Sequence, residues 1–230
     1  MKAVLLAAGK GERLGKLTQG VPKPMIPTDG KPILEWNIEL CRKHGVTELF
    51  INLFHLPHII KEYFGDGSRF GVSIKYSEEA ELLGTAGGVK QFSDMLMDKP
   101  FFVIYGDNRS NYNLIDFQTY HERQRAQLTI ALFHLDEVHQ SGVAILGEDN
   151  RILEFVEKPT STPPPSHWVN AGIYIMDPSL LTQIPEGPCD FGRDLFPRWI
   201  AGGVNIHGIL MAEKVTAIDT VELLEKWKNN

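Results

Sequence analysis

Lys10, Arg13, Lys16 and Lys23 crowd around the glycines Gly9 and Gly11 in the stretch LLAAGKGERLGKLTQGVPKPM, residues 5–25. The stretch follows directly on an apolar run that stops at Ala8. Glycine lets the backbone turn sharply and offer amide protons at close range. A guanidinium such as that of Arg13 can fork onto phosphate oxygens, and an ammonium such as that of Lys23 adds a second positive charge. Flexible backbone and positive charge at the carboxyl end of a strand are what an α/β sheet uses to bind an anion. Pro22 and Pro24 restrict the chain on both sides of Lys23. A stiffly held charge suits the stabilisation of a transition state. The plainer alternative is a solvated basic loop.

Asp107 follows the apolar segment FFVIYG. A carboxylate at the carboxyl end of a strand is placed to hold Mg²⁺ against phosphates; a turn or cap residue is the alternative reading. Other reactive groups carry less. His55 and His58 in HLPH have no adjacent acidic or cysteine partner and read as surface or helix-start residues. Glu78, Glu79 and Glu81 share one loop, which does not establish two facing carboxylates of a glycosidase. Two phosphate motifs fail outright. A dinucleotide GxGxxG needs glycine where Leu14 stands, and a P-loop needs glycine at Lys10 and Ser or Thr at Leu17.

The elements that must position these groups alternate. Strands are predicted over 2–7, 47–54, 72–77, 100–106 and 127–135, and helices over 31–45, 56–65, 85–96 and 112–125. This is the rhythm of an α/β sheet with parallel strands. Beyond it, SGVAIL and RILEFVEKP around GEDN predict a β-hairpin, HWVNAGIYIMD another strand, and PSLLTQI and FGRDLFPRWIAGG helices. NIHGILMAEKVTAI suggests two short strands and TVELLEKWK a closing helix. The expected picture is a parallel α/β sheet carrying a β-rich second lobe.

The chain has 230 residues and a formal net charge of −6. That balance argues against a nucleic-acid polymer or an anionic membrane as partner, so the basic cluster is local and suggests a small anionic ligand. Cys41 and Cys189 form no CxxC pair, and two reduced thiols in a cytoplasmic protein are expected. No signal peptide or bilayer-length apolar run is visible in the sequence.

The opening stretch resembles the signature of the sugar-1-phosphate nucleotidyltransferases, roughly LAAGxGxRLxxLTxxxPKPMxPxxxKPxLE. The match runs through Leu6-Ala7-Ala8-Gly9, Gly11, Arg13-Leu14, Leu17-Thr18, Pro22-Lys23-Pro24-Met25, Pro27, Lys31-Pro32 and Leu34-Glu35. Later motifs follow in the family's order: LGTAGG from Leu83, Gly106-Asp107, Glu157-Lys158-Pro159 and Asn170 to Ile175. The resemblance implies a three-layer, Rossmann-like, mostly parallel sheet with a smaller β-rich sugar-binding lobe, the nucleotide-diphospho-sugar transferase type. It implies one domain over 1–230, with 1–135 serving the nucleotide and 136–230 the sugar phosphate. Arg13 and Lys23 would be catalytic. Leu6, Ala7, Ala8, Gly9, Gly11, Gly84, Thr85 and Gly106 would contact the nucleotide. Gly142, Glu157, Lys158 and Asn170 would contact the sugar phosphate. Asp107 and Asp219 would hold Mg²⁺. Asp219 departs from the family pattern, because aligning Thr220 and Glu222 in AIDTVELL puts Ala217 where the family carries its aspartate. Asp219 also suits the cap of a last helix.

The implied substrates are an NTP and a sugar 1-phosphate, and the products an NDP-sugar and pyrophosphate. A phosphomonoester is mostly ionised at neutral pH, so no general base is required. LGTAGG looks most like the guanylyltransferases of mannose- or heptose-type phosphates, whereas FGDGSRFGVSIKYS resembles short uridylyltransferases. Small residues Gly84, Ala86 and Gly87 leave room for a purine, and Glu81 or a carbonyl could accept from guanine, which favours GTP. The alternatives are a uridylyl- or thymidylyltransferase, an impaired sugar-nucleotide-binding regulator, and a nicotinamide-dependent oxidoreductase. The last is opposed by the missing third glycine and the crowded lysines. The resemblance leaves room for a homo-oligomer.

Overall fold

The run KAVLL offers water no polar side chain beyond Lys2, and it forms strand β1 (Lys2–Leu6), with Ala3, Val4 and Leu5 fully buried. The computed structural model describes residues 1–212 and 216–217. Asp219 and the closing helix expected at 220–228 lie outside the described residues. Internal contacts divide the chain into two units. One comprises residues 1–82, 104–111 and the chain from 215 onward; the other comprises 83–103 and 112–214.

In the first unit, β1 is followed by helix α1 (Ile33–Lys43), strand β2 (Glu48–Leu53), helix α2 (Pro57–Phe64) and strand β3 (Ser73–Glu78). Strand β2 pairs parallel with both β1 and β3, with Leu5 opposite Ile51 and Ile51 opposite Tyr76. Helix α1 starts later than the sequence predicts, because Lys31 pairs with Thr28 in a small hairpin and Pro32 is extended (φ −56, ψ 145). Its buried face carries Ile33, Leu34, Ile38, Leu40 and Cys41, with the polar Asn37 among them. Helix α2 begins at proline and ends at Gly65, whose φ of 57 suits glycine.

Strand β4 (Phe101–Tyr105) is apolar throughout, and Phe101 to Ile104 are at most 1% exposed. Continuous apolar character marks a strand covered on both faces. After it, Asn108–Arg109 pairs antiparallel with Thr216–Ala217, inside the first unit.

The second unit holds helix α3 (Gly84–Lys90), helix α4 (Leu114–Gln124), strands β5 (Leu128–His134), β6 (Gly142–Leu146), β7 (Ile152–Glu157) and β8 (Trp168–Met176), helix α5 (Phe196–Ala201) and strand β9 (Ile206–Leu210). Strands β6 and β7 form the predicted hairpin, β8 runs antiparallel to β5 and β6, and β9 runs parallel to β5. The helix expected over 85–96 is broken. The Ser93 hydroxyl donates to the Lys90 carbonyl (2.7 Å), the acceptor a continuing helix would use, and only a short turn at Ser93–Leu96 follows. FGRDLFPRWIAGG likewise divides into a π-helical turn at Phe191–Leu195 and helix α5. Beneath them Phe155, Tyr174, Phe191, Phe196 and Trp199 pack ring against ring, Tyr174 meeting Phe196 edge-on at 5.4 Å. Such contacts add specificity of geometry to the area they bury.

Candidate active site

The chain leaves β1 through Ala7 and Ala8, both buried, and reaches Gly9 and Lys10 on the surface. A buried amide pair fixes the exit. Ala7 N–H donates to Asn52 Oδ1 (2.9 Å), and Asn52 Nδ2 donates to Glu79 Oε1 (2.7 Å). Glu79 is 8% exposed. Thus one glutamate of the trio at 78, 79 and 81 is structural support for the glycine loop, while Glu78 pairs with Lys61 on the surface.

Gly11 has φ +66 and allows no side chain. A Cβ there would lie 2.9 Å from both Lys23 Cβ and Thr18 Cγ2. Its carbonyl accepts from Leu14 N–H (2.9 Å) and from the Thr18 hydroxyl (3.1 Å). Leu14 drops into an apolar cluster with Ile26 and Ile33, which anchors the turn carrying the exposed Arg13. His55, read from sequence as a surface or helix-start residue, donates through Nε2 to the Thr18 carbonyl (2.9 Å).

Lys23 is 6% exposed, and its Nζ donates to Asp107 Oδ2 at 2.5 Å. The structure thus brings together the lysine and the aspartate that the sequence singled out separately. The turn bearing Asp107 is held by three hydrogen bonds. Gly106 N–H donates to the Leu6 carbonyl (2.9 Å), and a Cβ at Gly106 would meet the same oxygen at 2.9 Å. Asn37 Nδ2 donates to the carbonyls of Gly106 (3.3 Å) and Asn108 (2.9 Å), the residues flanking Asp107. Asn37 was not singled out by sequence reasoning. The one available signal was a polar residue on the apolar face of α1.

Among the described residues, no three His, Cys, Asp or Glu side chains converge as a metal site. Asp107 nonetheless fits Mg²⁺ by its donor chemistry. Its carboxylate is a hard oxygen ligand, one quarter exposed at the end of a strand (25%). Mg²⁺ keeps several waters and needs only one or two protein carboxylates beside phosphate oxygens.

In the second unit, Gly142 and Gly192 both approach Glu157. A Cβ on either glycine would stand 2.6 Å from Glu157 Oε2. Glu157 is exposed by area. Partial desolvation first, and the charge of Asp190 second, hold its pKa above the ordinary 4.5, with Lys158 and Arg193 opposing. Lys158 has φ +51, a conformation a lysine rarely adopts. Its N–H donates to the Ser141 carbonyl (3.1 Å) at the base of the hairpin. Strained backbone of this kind concentrates at functional positions. Asn170 braces its own bulge: Oδ1 accepts from Gly172 N–H (2.9 Å) and Nδ2 donates to the Tyr174 hydroxyl (2.7 Å). Thr85 and Gly84 sit at the start of α3, against the segment 187–191, a partner the sequence did not reveal.

A strand-end glycine loop and a lysine–aspartate pair thus lie together on an α/β framework. Residues 2–214 match the nucleotidyl transferase family model. The chain is 37% identical over 225 residues to a UTP–glucose-1-phosphate uridylyltransferase of Synechocystis, covering 92% of this chain and 58% of that protein. It is 33% identical over 212 residues to a mannose-1-phosphate guanylyltransferase of Mycobacterium tuberculosis, covering 91% of this chain and 58% of that protein. The chain therefore spans a little over half the length of these relatives. Its fold matches that of HddC from Yersinia pseudotuberculosis complexed with GMP-PN, at a TM-score of 0.83 and 23% identity, covering 99% of this chain and 98% of that one. The chain belongs to the sugar-1-phosphate nucleotidyltransferase family. The mixed sheet with its helices is the nucleotide-diphospho-sugar transferase fold that the sequence led one to expect.

Proposed function

We propose that the protein transfers a nucleotidyl group from an NTP to a sugar 1-phosphate. A phosphate oxygen of the sugar phosphate attacks the α-phosphorus in line; the bond from that phosphorus to the β-phosphate bridge breaks, and pyrophosphate leaves. The observation that carries this reading is the Lys23–Asp107 pair beside the Gly9–Gly11 loop. An ionised nucleophile needs no base, so the demands are positioning and charge neutralisation. Lys23 and Arg13 stabilise negative charge as pyrophosphate departs, and Leu6, Ala7, Ala8, Gly9, Gly11, Gly84 and Gly106 bring backbone close to the nucleotide. Gly142, Glu157, Lys158 and Asn170 take the sugar phosphate. Asp107, with Asp219 as second carboxylate, would hold Mg²⁺, which when bound neutralises phosphate charge.

GTP is the preferred nucleotide in this reading, with a mannose- or heptose-type phosphate. The resemblance of LGTAGG to the guanylyltransferases and the similarity to the Mycobacterium enzyme support it, while the space beside Gly84 and Gly87 expected for a purine is filled by the carbonyls of Cys189 and Gly187. A second reading, uridylyl transfer to glucose 1-phosphate, is favoured by the similarity to the Synechocystis enzyme. Pyrophosphate release measured with GTP, UTP, dTTP, CTP and ATP against mannose, glucose and heptose 1-phosphates decides between them. A pocket that hydrogen-bonds one base edge discriminates strongly. A pyrimidine preference across all sugars would remove the guanylyl reading, and no release with any pair would remove the transferase reading.

A further inference from the structure

The segment LGTAGG, expected to meet the nucleotide, has its threonine engaged elsewhere. Thr85 Oγ1 donates to Asp190 Oδ2 (2.9 Å) and accepts from Phe191 N–H (2.9 Å). The surrounding seat leaves no side-chain volume. A Cβ at Gly84 would lie 2.6 Å from the Cys189 carbonyl oxygen, and one at Gly87 would lie 2.6 Å from that of Gly187. Ala86 and Gly87 N–H donate to the Cys189 carbonyl (3.0 and 3.1 Å), and Cys189 N–H donates back to the Leu83 carbonyl (2.8 Å).

Asp190 spends its other oxygen on the turn that follows. Oδ1 accepts from Gly192 N–H (3.1 Å) and Arg193 N–H (3.2 Å), and Asp190 N–H donates to Asp194 Oδ2 (2.7 Å). The turn so fixed carries Gly192, where a Cβ would stand 2.6 Å from Glu157 Oε2 and 3.2 Å from the Phe155 ring. From the opposite element, a Cβ at Gly142 would meet the same carboxylate oxygen and the same ring. Two glycines therefore approach the same oxygen of the Glu157 carboxylate, and the turn that carries one of them is located by Asp190 and, through it, by Thr85.

We infer that Thr85 and Asp190 are positioning residues for the sugar side, setting the height of Gly192 and with it the place where Glu157 can accept a sugar hydroxyl. This rests on the reading that Glu157 faces the sugar. It removes the Thr85 hydroxyl from the nucleotide contacts implied by the resemblance. A carboxylate displaced by part of an ångström loses hydroxyl contacts that depend on distance and angle, and misplacement at a binding group costs far more than its own contact.

The test is steady-state kinetics of Thr85→Val and Thr85→Ser, with GTP and UTP as nucleotides and mannose 1-phosphate and glucose 1-phosphate as sugars. Valine keeps the shape and removes the hydroxyl; serine keeps the hydroxyl. With Thr85→Val, the KM for the sugar phosphate should rise about tenfold, the loss of one hydrogen bond in a fixed network, while the KM for the nucleotide stays within about twofold. Thr85→Ser should keep the wild-type sugar KM. Gly192→Ala, which leaves the Thr85–Asp190 bond in place, should raise the sugar KM in the same selective way. A rise confined to the nucleotide KM, or valine and serine behaving alike, overturns the inference and leaves the transferase reading standing. Wild-type protein that releases no pyrophosphate overturns both.

Discussion

Lys23 Nζ and Asp107 Oδ2 are 2.5 Å apart, although 84 positions separate the two residues in the chain. Lys23 is buried and Asp107 one quarter exposed, so truncating the lysine removes a fixed positive charge from beside a carboxylate that water reaches. Lys23→Ala should lower kcat/KM by about 10² or more, the range for losing one preorganised charge contact. Activity within a factor of a few of wild type would remove Lys23 from the chemistry.

The carboxylates separate by their response to Mg²⁺. Asp107→Asn should raise the Mg²⁺ concentration giving half-maximal rate. Asp219→Asn distinguishes two roles for its residue. A metal ligand gives a large rate loss with an unchanged melting temperature. A helix cap gives near-normal turnover and a stability loss of about 1 kcal/mol.

Gly11→Ala places a methyl group against Lys23 and Thr18 in a backbone conformation with φ +66. Both the left-handed backbone and the contact oppose it. Turnover should fall at least about tenfold, as for a displaced catalytic group, and the melting temperature should drop as well. An unchanged rate would show that the loop relaxes without moving Lys23.

His121 is 4% exposed and lies 2.8 Å from the Thr129 hydroxyl. Burial pushes its pKa down from 6.5 to about 4, against the pull of Asp177 and Glu122. The unfolded chain therefore binds the proton first as pH falls. Stability present above pH 6.5 is lost between pH 6.5 and about 4, by up to roughly 3 kcal/mol. Denaturant titrations of His121→Gln should show a flatter pH dependence across that window, and an unaltered slope would assign the acid sensitivity to other groups.

Much of this is legible in the sequence. The strand ahead of the glycine loop and the strand ahead of Asp107 are continuous apolar runs, and their carboxyl ends mark where ligands bind. Lys23 and Asp107 each stood out locally, but their contact depends on how β1 and the Gly106 turn meet, which no local pattern encodes. Asn37 escaped notice because a lone amide on an apolar helix face carries no motif. The seat of α3 escaped notice too. LGTAGG reads as a glycine-rich ligand loop, yet the carbonyls of Gly187 and Cys189 fill the space that Gly84 and Gly87 leave open. Small residues announce a close approach without saying by what.

The first unit's chain is interrupted, running to residue 82 and resuming at 104. On a ribosome the glycine loop and Lys23 emerge long before Asp107 exists to meet them. An N-terminal fragment ending before residue 107 must carry Lys23 without Asp107, whatever else of β1 to β3 it assembles. Such interleaving delays closure of the pair until the segment 104–111 has been made and raises the sequence separation of the contacts that complete the unit, which slows folding. It also rules out splitting the molecule between its two units by a single protease cut: any one nick before residue 104 leaves part of the first unit covalently attached to the second.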